Sequence, residues 1–325
     1  MATRPRVVVT RRWPAAVEAV LRERFDVRLN EADEPFDRDG LAAALAEADA
    51  LCPTVTDRID AELLSAPDVR VRVIANFGVG FNHIDVAAAA AADIAVSNTP
   101  GVLTDCTADL AMTLMLMTAR KAGAGERELR AGAWQSWSPT HLLGRRVTGK
   151  TLGIIGAGRI GLATAARAHH GFRMRILLHN RSALAGETLQ TLDAEQCPLE
   201  ALLERSDFVS LHTPATPETR HLIDARALER MPDHAFLINT ARGEIVDEAA
   251  LIDALRNGRI AGAGLDVYER EPEVPAALTA LENVVLLPHM GSATEETRVA
   301  MGMCAVDNLS AFFEGRPLPN PVQAT

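Results

Sequence analysis

Residues 151–168, TLGIIGAGRIGLATAARA, decide the fold. An apolar strand candidate, Leu152–Ile155, runs into Gly156, Gly158 and Gly161 at the spacing GxGxxG, and an alanine-rich helical stretch follows. Gly156 permits a tight turn, Gly158 lets backbone approach a pyrophosphate, and Gly161 lets the helix pack closely on the sheet. At the helix start, around Arg159 and Ile160, free N–H groups and the positive end of the dipole face the phosphates. GxGxxG alone is weak evidence. Between a strand and a helix it predicts dinucleotide binding, against the plainer reading of a glycine-rich turn that serves packing only.

Downstream, short β-branched runs alternate with helical stretches. The strand candidates are Leu152–Ile155, Arg175–His179, Phe208–Leu211, Ala235–Ile238, Gly262–Asp266 and Val284–Leu287. This rhythm predicts a doubly wound parallel sheet. Upstream the same rhythm recurs at Arg6–Thr10, Val27–Asn30, Ala50–Cys52, Val73–Ala75 and Ala95–Ser97, with helices such as Pro14–Arg24, Gly40–Ala48 and Ala87–Ala92. A long helix from about Thr104 to Arg130 and a polar arm carrying Trp134 and Trp137 separate the two series. The last helix, Thr294–Glu314, is too small to be a domain and is expected to return to the N-terminal one. The expected architecture is α/β with two Rossmann-like domains. Residues 100–290 form the dinucleotide-binding domain, and residues 1–99 with 291–325 form a smaller flavodoxin-like substrate domain. The active site is expected in the cleft between them.

Composition narrows the partners. At 325 residues with 48% apolar side chains, the chain can build two cores. A formal charge of −10 argues against nucleic acid or an anionic membrane, both of which demand a basic face. A few local cations still suffice to hold one small carboxylate. Cys52, Cys106, Cys197 and Cys304 form no CxxC pair and have no zinc spacing, so they read as free thiols in a reducing compartment, and no metal is expected. The N-terminus lacks the apolar stretch of a signal peptide. No run reaches the ~18 apolar residues of a membrane span. A cytoplasmic protein is expected.

The second strand of the cofactor series ends RILLHNRS. An NAD enzyme places Asp or Glu there against the ribose hydroxyls. Here Asn180, Arg181 and Ser182 follow His179, with no acid. A guanidinium pairs with a 2′-phosphate that a carboxylate would repel. NADP(H) is therefore expected as the preferred cofactor, with Arg181 as the main phosphate ligand and Asn180 and Ser182 adding hydrogen bonds. NAD(H) stays open, because an arginine after a strand can also be merely solvated.

Three segments close three successive strands: AFLINTARGEIVDE, GAGLDVYEREPEVP and VVLLPHMGSAT. They place Arg242, Glu271 and His289 just past the carboxyl ends, the edge where open α/β sheets bind ligands. A hydride-transferring reductase needs an acid to protonate the forming alkoxide and a cation for a substrate carboxylate. His289 can supply the proton, Glu271 can hold the imidazole and favour its charged form, and Arg242 can take the carboxylate or polarise the keto oxygen. Taken singly, each could be an ordinary solvated loop residue.

The series NFGVGFNHIDV, NTPGVLTDCTADLA, GKTLGIIGAGRIG, HTPATPETRHLI, INTARGEIVDE, GAGLDVYEREP and LLPHMGSAT resembles the D-isomer-specific 2-hydroxyacid dehydrogenase family, in the family's order and over nearly the whole chain. It is most similar to the glyoxylate/hydroxypyruvate reductase branch. The resemblance implies reduction of a short 2-keto acid such as glyoxylate or hydroxypyruvate to the D-2-hydroxy acid. It puts the catalytic arginine on Arg242, the acid on Glu271 because that residue directly precedes Pro272, and the proton donor on His289. It implies that the backbone N–H groups of Val79 and Gly80 hold the substrate carboxylate, alongside Arg242 and His289. Thr104, Thr213 and Pro214 would lie along the cofactor. Thr240, Asp266 and Gly291 would line the nicotinamide pocket, with Asp266 near the carboxamide. It also implies a homodimer built on residues 100–150, whose exposed tryptophans suit an interface. Cys106, Phe77 and Phe81 depart from the family pattern, and the two phenylalanines could reshape the pocket. The other histidines, His83, His169, His170, His212 and His221, read as capping or packing groups. Within the enzyme class, 3-phosphoglycerate, formate and phosphite dehydrogenases are alternatives. Outside it stands a dinucleotide-sensing corepressor, which would need no turnover.

Overall fold

A computed structural model of the chain describes residues 4–323. Its residues divide into two compact units. One comprises those up to Leu103 together with those from Ser292 onward; the other is Thr104–Gly291.

In the first unit β1 (Arg6–Val9), α1 (Ala15–Arg24), β2 (Asp26–Arg28), α2 (Arg38–Glu47), β3 (Ala50–Cys52), α3 (Ala61–Leu64), β4 (Val73–Ala75), α4 (Val86–Ala91) and β5 (Ala95–Ser97) follow in order. They build a parallel five-stranded sheet ordered β2-β1-β3-β4-β5, a flavodoxin-like arrangement. The side chains of β3 and β4 are wholly buried, as uncharged runs covered on both faces should be. Asp37, Asp60 and Asp85 fix where α2, α3 and α4 start. Each carboxylate accepts an N–H from the first turn, of Gly40, Leu63 and Ala88 respectively.

The second unit runs α5 (Thr104–Ala119), α6 (Ala122–Arg130), β6 (Thr151–Ile155), α7 (Arg159–Phe172), β7 (Arg175–His179), α8 (Gly186–Thr191), β8 (Ala194–Gln196), α9 (Leu199–Arg205), β9 (Phe208–Leu211), α10 (Ala225–Arg230), β10 (Phe236–Asn239), α11 (Glu248–Arg256), β11 (Gly262–Leu265), α12 (Ala276–Thr279) and β12 (Val284–Leu286). The parallel sheet is ordered β12-β11-β10-β9-β6-β7-β8, so winding reverses at β6. Successive residues of a strand face opposite sides. Leu152 and Ile154 accordingly pack with Leu114, Met115 and Ile176, while Ile155 packs in a second layer with Leu211, Leu237 and Leu265. Each such fully buried aliphatic side chain contributes about 1.5–3 kcal/mol, which holds the switch-point strand rigidly under the turn that follows it.

Two expectations are corrected. The long helix over 104–130 is two helices. Lys121 adopts a left-handed conformation (φ 52°), and the amide of Arg145 donates to the Ala119 carbonyl at 2.7 Å, so a returning chain caps the first helix. Gly144 makes that crossing close enough that a Cβ would strike the Ala119 carbonyl. The sheet also has a seventh strand, β8, beyond the six expected. Its sequence, AEQ, carries no β-branched residue, and it is held as an edge by pairing with β7.

Helix α13 (Glu295–Phe313) belongs to the first unit and packs on α1 and β4. Gly302 allows this close approach, since a Cβ there would lie 2.7 Å from the Val17 methyls. Among the described residues no helix is long and apolar enough to cross a membrane.

Candidate active site

The carboxyl ends of β10, β11 and β12 deliver Arg242, Glu271 and His289. His289 Nδ1 and Glu271 Oε2 are 2.7 Å apart, a charge-assisted hydrogen bond. The other Glu271 oxygen accepts the Tyr268 amide at 3.0 Å. Burial alone would raise the Glu271 carboxyl. The His289 hydrogen bond and charge, the Tyr268 amide and the Arg242 charge outweigh it, and the carboxyl sits below its usual range. Burial pulls the Arg242 guanidinium downward against the charges of Glu271 and Glu244, yet a guanidinium stays protonated. The pair is thus a carboxylate bonded to one imidazole nitrogen, with Nε2 left to face a ligand.

His289 sits in an unusual backbone state, φ 55° at a residue with a Cβ. The neighbouring bonds explain how it is held. Asp266, fully buried, accepts the amides of Met290 and Gly291 at 2.6 and 2.8 Å, and its own carbonyl accepts the His289 amide at 2.9 Å. Thr107 Oγ1 donates to the Gly291 carbonyl at 3.0 Å. Burial raises the Asp266 carboxyl despite those amides.

The glycine turn has the shape a dinucleotide needs. Gly156 lies at φ 97°, where an added Cβ would strike the backbone of His212 and Thr213. Gly161 packs onto the Gly156 carbonyl, and a Cβ at Gly158 would meet nothing within 4 Å, which leaves open space before Arg159 and Ile160. Thr240 is only 8% exposed, yet its hydroxyl has no hydrogen-bond partner among the described residues. An orphaned buried hydroxyl and an open backbone cradle both fit a bound nicotinamide dinucleotide. Thr213 and Pro214 follow β9, and Thr104 opens α5. His212, at the end of β9, is bonded to Ser210 Oγ at 2.9 Å, and burial pushes it down to about 4.

Past β7, Asn180 Nδ2 donates to the carbonyl and hydroxyl oxygens of Ser182 at 3.2 and 3.1 Å. Arg181 is exposed and its charge reaches Glu218.

In the first unit, the segment 76–80 is a bend whose Gly78, Val79 and Gly80 carbonyls are occupied. Asn76 Nδ2 donates to the carbonyls of Gly78 and Gly80 at 3.0 and 2.9 Å, and Asn98 Nδ2 donates to that of Val79 at 2.8 Å. His83 Nε2 bonds Asn76 Oδ1 at 3.0 Å. The amides of Val79 and Gly80 find no acceptor among the described residues, which is the pattern of an anion nest. Phe77 is buried against Trp13, with Arg298 over its ring, so of the two phenylalanines only Phe81 is open to reshape a pocket.

Sequence reasoning missed the residues that shape these loops. Asn239 folds the arginine loop, donating to the Arg242 carbonyl at 2.8 Å and accepting from the Ala241 amide at 3.0 Å. Gly243 packs so tightly on Tyr268 that a Cβ would overlap its backbone, which ties the Arg242 loop to the Glu271 loop. Tyr268 Oη donates to the Leu287 carbonyl at 2.9 Å and joins the second loop to the third. The glycine directly after the arginine in ARGE was the one available signal.

The family profile described as "D-isomer specific 2-hydroxyacid dehydrogenase, NAD binding domain" matches residues 112–291. The glyoxylate reductase of Korarchaeum cryptofilum is 46% identical over 98% of this chain and 96% of its own length. That of Aeropyrum pernix is 47% identical, again over 98% and 96%. The crystal structure of an NADPH-dependent glyoxylate/hydroxypyruvate reductase from Sinorhizobium meliloti, in complex with NADP and malonate, superposes with a TM-score of 0.84 at 37% identity, covering 98% of this chain and 97% of that one. With nucleotide-turn geometry, sheet order and full-length similarity in agreement, the chain belongs to the D-isomer-specific 2-hydroxyacid dehydrogenase family, among the relatives named glyoxylate reductases.

Proposed function

We propose that this protein reduces a short 2-keto acid, glyoxylate or hydroxypyruvate, to the D-2-hydroxy acid with NADPH as preferred reductant and NADH as a slower alternative. The observation that carries the reading is the 2.7 Å His289–Glu271 pair, set on adjacent strand ends beside Arg242. A bound nicotinamide supplies the hydride to the carbonyl carbon. Protonated His289 gives its Nε2 proton to the keto oxygen as the alkoxide forms and is left as neutral imidazole, its Nδ1–H still donating to Glu271. Arg242 and the Val79 and Gly80 amides hold the substrate carboxylate, and the Arg242 charge also polarises the carbonyl.

Gly156, Gly158, Arg159, Ile160 and Gly161 cradle the pyrophosphate; Thr213 and Pro214 lie under the adenosine half, with Thr104 alongside. Thr240, Asp266 and Gly291 line the nicotinamide, and the Thr240 hydroxyl gains its missing partner there. Arg181, with Asn180 and Ser182, takes the 2′-phosphate. Residues 104–291 act as the cofactor domain and the remainder as the substrate domain. The protein works as a cytoplasmic homodimer joined through residues 100–150, a role supported by Trp134 and Trp137, 52% and 78% exposed, with Leu129 and Leu143 beside them in sequence.

The test is initial-rate kinetics on glyoxylate, hydroxypyruvate, pyruvate and bulkier keto acids with each cofactor. The reading expects the highest kcat/KM for one of the first two with NADPH. Turnover confined to bulky keto acids, or none at all, would overturn it.

A further inference from the structure

The edge strand β8 ends in Gln196, which pairs in register with Leu178, two residues before Asn180. Its half-buried side chain reaches over the segment after β7. Nε2 donates to the Ser182 carbonyl at 2.9 Å and to the Asn180 carbonyl at 3.5 Å, while Oε1 accepts the Leu184 amide at 2.8 Å. One amide thus meets three backbone groups of a single five-residue segment, 180–184. The apolar side chain of Leu184 anchors the end of that segment against the core around Ile176 and Leu178. Asn180 braces it from within through Ser182, whose hydroxyl accepts that bond and keeps its own proton to donate. Arg181, between them, donates no hydrogen bond to any described residue and is exposed.

We propose that Gln196 is a positioning residue for cofactor selection: it clamps segment 180–184 so that Arg181 and the Ser182 hydroxyl are presented, preorganised, to a phosphate on the 2′ position of the adenosine ribose. The proposal rests on the NADPH reading above. A long arginine on a loose segment must be ordered when the ligand arrives, and that ordering weakens binding. Gln196 does the ordering in advance. It acts only where a 2′-phosphate is present, because NADH makes no demand on Arg181.

The experiment measures KM and kcat for NADPH and NADH with glyoxylate in the full-length protein, for wild type, Gln196→Met, Gln196→Glu, Arg181→Ala and the double variant Gln196→Met/Arg181→Ala. Gln196→Met keeps the length and removes all three bonds. It should raise the NADPH KM roughly threefold to tenfold, leave kcat and the NADH KM within about twofold, and have no further effect on the NADPH KM once Arg181 is already alanine. Gln196→Glu turns an acid toward the two carbonyls that the amide now faces and should raise the NADPH KM further; it serves as the independent test should the methionine variant fail to fold. A role confined to edge-strand stability predicts a lower melting temperature with an unchanged NADPH-to-NADH KM ratio, or an effect that persists in full beside Arg181→Ala, and either result overturns the proposal. A wild type that prefers NADH and ignores Arg181→Ala overturns the cofactor reading and this inference with it. NADPH preference lost in Arg181→Ala but intact in both Gln196 variants overturns this inference alone.

Discussion

In the proposed reaction, Glu271 is the residue on which the proton chemistry turns. Its carboxyl lies below its usual range because His289, the Tyr268 amide and Arg242 outweigh its burial, so it is ionised throughout the neutral range. By linkage, a depressed carboxyl contributes stability that is full above its unfolded value, near ~4.3, and is lost as pH falls through the lower folded value. Reduction takes up a proton from solution and should become less favourable as pH rises, while oxidation of the hydroxy acid releases one and should improve over the same range. Glu271→Gln keeps the shape and removes the charge. Its kcat/KM for glyoxylate, compared with wild type at one fixed pH, should fall because the imidazole loses the carboxylate that holds its Nδ1–H. An unchanged kcat/KM would remove Glu271 from this role.

The turn after β12 shows why a loop needs more than the side chain it presents. His289 is left-handed at a position without glycine, a state that surrounding bonds must enforce. Asp266 does most of this through two short bonds to the Met290 and Gly291 amides. Asp266→Asn retains one acceptor and sets an NH2 group against the other amide. It should cost about 1–3 kcal/mol in denaturant unfolding and lower kcat by more than it raises KM, since the imidazole loses its aim. Wild-type stability with wild-type kcat would contradict this account. The positions of Arg242, Glu271 and His289 were legible because each ends a recognisable apolar strand within a familiar motif. The bracing by Asn239, Tyr268 and Gly243 was not, because it depends on which way a turn folds. Nor was β8, whose AEQ becomes a strand only through β7. The break at Lys121 stayed hidden for a similar reason, as a returning segment about 24 residues later in sequence caps the helix.

The two sheets set the behaviour of the entire chain, and one half-buried base links the cofactor sheet to solution pH. His212 ends β9 beside the glycine turn and is pushed by burial from an ordinary value near 6.5 down to about 4. A base with a depressed folded value binds more protons when unfolded, so stability is full above 6.5 and declines as pH falls toward 4. The loss approaches about 3 kcal/mol at the acid end. His212→Gln can keep a bond to Ser210 and should flatten this dependence between those limits in urea unfolding; an equally steep curve would exclude His212 as its source. Above stability stands the reaction itself. Single-turnover reduction of glyoxylate by NADPH-saturated wild type and His289→Ala, with cofactor affinity measured in parallel, tests it most directly. The account predicts that the alanine variant binds NADPH nearly as wild type does and reduces glyoxylate about 10²- to 10⁴-fold more slowly; near-wild-type turnover in that variant would contradict it.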